Sequence, residues 1–154
     1  MASSVTTQKF FSKVSQASYD HDPGATTAVI TSPDGGTTKR SVDMANYEGF
    51  AVIAMTSVSA SSSGITKLEI VAAEDSAMST NLTVVKDSGT VAADAVGDCV
   101  VAECTVAEIK SLGSALRYVA ARLTCSNSGD EAVVTYTRHS PRFAYRDLTA
   151  NQIS

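Results

Sequence analysis

Short β-branched runs, turn clusters at regular intervals and a single helix-start signal mark this chain as all-β, a β-sandwich or jelly-roll-like domain with one short helical turn. About seven or eight apolar or alternating runs recur at intervals of roughly 8–15 residues, separated by Gly, Asp, Asn, Ser and Pro, which is the spacing of a sandwich rather than of βαβ units. At 154 residues one core buries roughly two thirds of the unfolded surface, so one domain is the expectation and no disulfide or metal is required to fold it.

In chain order, residues 1–24 are rich in Ser, Thr and Gln and close on Asp20-His21-Asp22-Pro23-Gly24, a strong breaker cluster. They are expected to form an N-terminal arm ahead of a domain spanning 25–154, with Phe10 and Phe11 as its only sizeable anchors. Residues 26–31 and 37–44, joined through Pro33-Asp34-Gly35-Gly36, suggest a hairpin. Residues 49–58 are apolar on both sides, with Phe50, Val52 and Ala54 opposite Ala51, Ile53 and Met55, which predicts an internal strand covered on both faces.

Residues 65–72 alternate, placing Leu68 and Ile70 opposite Lys67 and Glu69, so a half-buried strand is expected there. Residues 82–85 and 99–104 are further strands, whereas 86–98 is rich in Gly, Asp and Ala and commits to no element. Thr105-Val106-Ala107-Glu108 fits a capping box, predicting a turn or two of helix that ends near Gly113. The runs 116–125 and 131–138, each alternating and separated by Ser126-Asn127-Ser128-Gly129-Asp130, are expected to pair as a hairpin.

Composition excludes several function classes. The net charge is −4 and the pI about 5.0, with Lys and Arg scattered, so the basic face that a nucleic-acid partner requires is not expected. No run approaches the ~18 apolar residues of a membrane span, and residues 1–14 have no apolar core of a secretory signal, so no membrane partner is expected. The three cysteines, Cys99, Cys104 and Cys125, form no paired ligand motif and read as reduced thiols. With Asn81-Leu82-Thr83 following no signal segment, its glycosylation pattern reads as chance.

Candidate chemistry is sparse, and no enzyme activity, cofactor or metal is expected. His21 between Asp20 and Asp22 has metal-binding residue types, but consecutive turn residues rarely converge on one ion, and no second cluster supports them. His139 beside Ser140 is no catalytic pair by adjacency alone. Asp34-Gly35-Gly36 lacks the trailing Lys and following helix of a phosphate loop. Glu69, Glu74, Asp75, Glu103 and Glu108 read as solvated carboxylates. The final segment, with Arg138, Arg142, Phe143, Tyr145 and Arg146, mixes cations and aromatics as interface hot spots do; Arg142, Phe143, Tyr145, Arg146, Phe10 and Phe11 are the candidate partner contacts.

Four stretches go beyond composition. They are Ser41-Val42-Asp43-Met44, then Tyr47 to Ala54 in the order YEGFAVIA, then Ile65-Thr66-Lys67-Leu68-Glu69-Ile70 running into Glu74-Asp75-Ser76, and finally Ala115-Leu116-Arg117-Tyr118-Val119-Ala120-Ala121-Arg122-Leu123-Thr124. Together, over roughly residues 41–146, they resemble small virion proteins of tailed bacteriophages. The resemblance implies a structural protein, most like a head decoration or cement protein with a β-sandwich core, assembled in the host cytoplasm and located on the capsid surface. Its implied partners are the major capsid protein and neighbouring copies of itself, as a trimer or as a monomer at symmetry axes. A tail or head–tail connector component is the alternative in the same virion, and a carbohydrate- or receptor-binding module is a third, disfavoured by the absence of Trp.

Overall fold

The computed structural model describes residues 15–21, 28–31, 41–60 and 64–141, with 15–21 and 141 described by their backbone alone. Among the described residues the strands are β1 (Ser15–His21), β2 (Val29–Ile30), β3 (Val42–Asp43), β4 (Tyr47–Val58), β5 (Ile65–Ala73), β6 (Thr83–Asp87), β7 (Cys99–Thr105), β8 (Tyr118–Cys125) and β9 (Glu131–Pro141), with one helix, α1 (Val106–Leu112), between β7 and β8. The protein is all-β, and every strand pairing is antiparallel. One sheet runs β1-β9-β4-β7; the other runs β2-β8-β5-β6, with β3 also laid along β8.

Alternation decides which side chains meet between the sheets. Phe50, Val52 and Ala54 of β4 and Ala132, Val134 and Tyr136 of β9 face Leu68, Ile70 and Ala72 of β5 and Val119, Ala121 and Leu123 of β8 in one buried cluster. Phe50 and Tyr136 set their ring centroids 5.8 Å apart and tilted by 52°, a favourable edge-directed arrangement. Tyr136 is 1% exposed, and its hydroxyl crosses the core to donate to the Thr31 carbonyl at 2.9 Å while accepting from the Ala121 amide at 3.2 Å. The Thr31 hydroxyl closes the group, contacting the Tyr136 hydroxyl and donating to the Ala121 carbonyl at 3.2 Å. Burial pushes the phenol up to about 12, although the hydrogen bonds from Thr31 and Ala121 work against it. The tyrosine thereby stitches the two sheets together through polar groups that are satisfied inside the core.

The helix starts as the capping box requires. The Glu108 amide donates to the Thr105 hydroxyl at 3.2 Å, and the Glu108 carboxylate accepts from the Thr105 amide at 2.8 Å. Val106 and Ile109 turn inward to close the core, and Gly113 ends the helix. Glu108 also accepts from Lys86 at 2.5 Å; that ammonium, then the Thr105 donors, hold its carboxyl down at about 2.

Several expectations need correction. The runs 116–125 and 131–138 are indeed strands, but they do not pair: β8 lies in one sheet and β9 in the other, so the loop between them is an arch across the core. Asp130, fully buried, holds that arch by accepting from the Asn127 amide at 2.8 Å and from the Ala60 amide at 2.8 Å. An alternating strand points its apolar side into the same core whether the following loop returns within a sheet or crosses between sheets, so alternation alone does not distinguish the two.

Likewise β2 and β3 do not pair with each other among the described residues; each lies along β8, opposite Leu123-Arg122 and Val119-Tyr118 respectively. The strand at 65–73 is buried on both faces rather than half-buried, and β4 is covered on one face only. Residues 15–21, read as part of the arm, are paired along β9 from Ser15 opposite Arg138 to His21 opposite Ala132.

Candidate interaction surface

All six residues singled out as partner contacts, Phe10, Phe11, Arg142, Phe143, Tyr145 and Arg146, lie outside the described residues. The positions where the chain enters and leaves the sandwich are described. Ser15 is opposite Arg138 and Pro141 is opposite Tyr47, so both ends meet the fold at one end of the β1-β9-β4-β7 sheet.

That end is tied by a polar corner. Arg117 grips Asp43 with two hydrogen bonds, Nε to Oδ1 at 2.8 Å and Nη2 to Oδ2 at 2.5 Å, and Asp43 also accepts from the Ala45 amide at 2.9 Å. Arg138 lays its guanidinium 4.5 Å from the centre of the Tyr47 ring and donates to the Asp43 carbonyl at 2.9 Å. The Arg117 hydrogen bonds hold the Asp43 carboxyl below its ordinary value, against the opposing effect of partial burial. Beside the corner, Met44, Val106, Ile109 and Leu116 line a cleft of about 180 Å³ rimmed by Lys110 and Arg117. Both cations are engaged, Lys110 donating to the Ser114 carbonyl at 2.7 Å.

The outward faces of the two sheets differ. On the β2-β8-β5-β6 sheet, Glu69 is 4% exposed and accepts from Arg122 Nε at 2.6 Å and from Lys67 at 3.0 Å, and Lys67 reaches on to Asp87 at 2.8 Å. The Arg122 hydrogen bond, then that of Lys67, keep the Glu69 carboxyl below its usual value despite its burial. Next to this ionic row, Val71, Ala73 and Ala120 are buried under Met78 from the loop that follows β5. Asp75 shapes that loop by accepting from the amides of Ala77, Ser79 and Thr80, and Met78 sits at φ 58°. Local desolvation raises the Asp75 carboxyl, but the Thr80 and Ser79 donors outweigh it and set it at about 2.

The outward face of the β1-β9-β4-β7 sheet has no such cover among the described residues. Its rows run Cys99, Met55 and Val133; then Val101, Ile53 and Thr135; then Glu103, Ala51 and Thr137; then Thr105, Gly49 and His139. Val101 is 61% and Ile53 41% exposed, and Cys99 is exposed. Glu103 is the carboxylate beside Ala51, and on β1 Asp20 is placed opposite Val133. Gly49 has a packing reason: a Cβ there would come within 2.0 Å of the His139 ring, which lies flat against the bare backbone. The face was hidden from sequence reasoning because the apolar residues on both sides of 49–58 read as double burial. The exposed Val101 was the signal available in 99–104.

For the other candidates the geometry is plain. Glu69 and Glu108 are paired within the fold, and Asp75 braces its loop. His139 packs on Gly49, with Nδ1 3.2 Å from the Ser140 hydroxyl. Asp20 and His21 are opposite Val133 and Ala132 on β1, and no group of three His, Cys, Asp or Glu among the described residues is placed to hold a metal ion. Cys104 and Cys125 are buried free thiols, pushed by desolvation up to about 12 and about 11. Among the described residues no helix is long and apolar enough to cross a membrane. No protein-family model matches the chain, and no curated protein matches it.

Proposed function

We propose that this chain is a structural protein of a tailed-bacteriophage virion, binding the outer surface of the major capsid lattice as a decoration or cement protein, without catalysis. The observation that carries the reading is the sequence pattern over residues 41–146, whose pieces fall on β3, β4, β5 and β8 and on the acidic loop after β5. A protein that works by surface contact needs a stiff scaffold and a face left for a partner. The doubly layered core, the buried Tyr136 stitch and the exposed apolar side chains of Ile53 and Val101 suit that need.

The test is binding of the purified chain to undecorated phage capsids, followed by electron cryo-microscopy of the particles. Stoichiometric density over the capsid lattice is the expected result. Density confined to the neck or tail would transfer the chain to the connector reading, and no particle binding at all would end the virion proposal.

A further inference from the structure

The edges of a sandwich are where its backbone can bond to another chain, and the edges differ here. β2 and β3 are two residues each, while β6 is five residues long, slips register beside Ile70 and Val71, and carries Lys86 and Asp87. Shortness, a bulge and charge are the features that discourage further pairing. β7, an edge of the other sheet, lacks the first two and has Glu103 as its one charge. It runs seven residues, from Cys99 opposite Met55 to Thr105 opposite Gly49, with no break in register.

Its outer side is also unbonded. The Thr56 amide donates to the Asp98 carbonyl at 2.9 Å, which puts the even-numbered residues of β7 in the bonded positions towards β4. Cys99, Val101 and Glu103, all exposed, then turn their amides and carbonyls away from β4, and among the described residues nothing bonds to them there. The Thr105 amide keeps the same alternation and leaves the sheet to meet the Glu108 carboxylate at 2.8 Å.

We propose that this edge, over 99–103, takes an extended segment of a partner protein as an added strand, one that brings apolar residues together with Lys or Arg. The proposal rests on the reading of this chain as a surface-binding protein and names the contact. Shape supplies the apolar requirement. An open groove of about 440 Å³ lies beside the start of β7, lined by Val91, Ala93 and Val100 and bordered by Asp98. An added strand sends alternate side chains into such a groove and sets the others beside Val101, which is 61% exposed.

Charge supplies the cations. Residues 88–105 hold three carboxylates, Asp94, Asp98 and Glu103, and neither Lys nor Arg. Lys86 acts on Glu103 from β6 but is bonded to Glu108 at 2.5 Å. A second copy of β7 would bring the same carboxylates to the edge, and like charges on paired strands oppose pairing. A basic segment balances them.

The test is residue-by-residue amide hydrogen exchange of the full-length chain by NMR, alone and with the blocked peptide acetyl-Thr-Lys-Val-Thr-Val-Lys-Thr-amide. Alone, Val101 and Glu103 are expected to exchange fast while Val100 and Ala102 exchange slowly. The peptide should slow Val101 and Glu103 several-fold, saturating with a Kd on the order of 1 mM or tighter. Glu in place of both Lys should weaken binding several-fold, and N-methylation of alternate peptide residues should abolish it in one of the two phases. Val101→Pro removes an amide that faces away from β4, so the fold should stand and the peptide response should vanish. If that variant unfolds, the N-methylated peptides carry the comparison.

No slowing at Val101 and Glu103 overturns the proposal, as does equal binding of the Glu peptide or of both N-methylated forms. Slow exchange of these amides in the free chain also overturns it, assigning the edge to the chain itself if independent of protein concentration and to a second copy if it rises with it. Because the peptide assay needs no capsid, failure at the edge leaves the lattice test standing. A chain that takes the peptide but leaves capsids undecorated loses the virion reading and keeps the edge.

Discussion

Val71 and Ile53 occupy equivalent places. Each is a β-branched residue on the outward side of an internal strand, one in each sheet, yet Val71 is fully buried and Ile53 is 41% exposed. The strands themselves do not make the difference. Behind β5 the chain forms a loop that Asp75 bends by accepting from three amides, and this swings Met78 back over Val71, Ala73 and Ala120. Behind β4 the chain crosses to the other sheet instead, bonding the Ala60 amide to Asp130, and among the described residues nothing folds back over Ile53. Whether a sheet face is covered is therefore decided by what the next loop does, and a strand's own pattern shows only that it tolerates cover.

The contrast can be broken from the covered side first. Met78→Ala empties a buried site and is expected to lower unfolding free energy by about 2–5 kcal/mol, read by urea denaturation. A loss below about 1 kcal/mol would mean that the cover is nominal. Arg122→Ala leaves the buried Glu69 carboxylate with Lys67 alone and should cost about 1.5–3 kcal/mol, the range for a hydrogen bond to a charged group.

The same row predicts a pH dependence. Glu69 has its folded pKa below the unfolded value, so its contribution is complete above the ordinary carboxylate range and is lost as pH falls through the folded value. Glu69→Gln should therefore flatten the acid side of the stability profile, and an unchanged slope between neutral pH and the acid limb would assign that slope to other carboxylates. On the bare side, Val101→Thr should change stability by no more than about 0.5 kcal/mol, as at other exposed positions. A large loss there would show that the described rows are already closed over.

Much of this molecule was legible in its sequence where a signal is local. The Thr105–Glu108 box, the β7 and β8 runs and the all-β class depend on neighbouring residues only, and each is found in place. Pairing was not legible in the same way. The five residues after Cys125 look like a hairpin loop, and only the remote Ala60 amide that donates to Asp130 and the long reach of Tyr136 make them an arch. The candidate surface was missed for a related reason: the apolar outward side of β4 was noticed, but its lack of cover depends on a loop that crosses to the other sheet. Glu69, read as a solvated carboxylate, lies buried because Lys67 and Arg122 converge on it from two strands.

The arch has a consequence for the order of events as the chain is made. Because β9 belongs between β1 and β4, the last-synthesised of the described strands fills a central slot, and β1 waits more than a hundred residues for its partner. Until residues 131–141 have cleared the ribosome, the side of Phe50 that Tyr136 will cover stays open and β1 has no neighbour on which to form. Closure of this sheet is thus a late, all-at-once step dominated by distant contacts, the kind that folds slowly. A nascent chain stalled short of Glu131 should accordingly be a ready client for chaperones that bind exposed apolar strands.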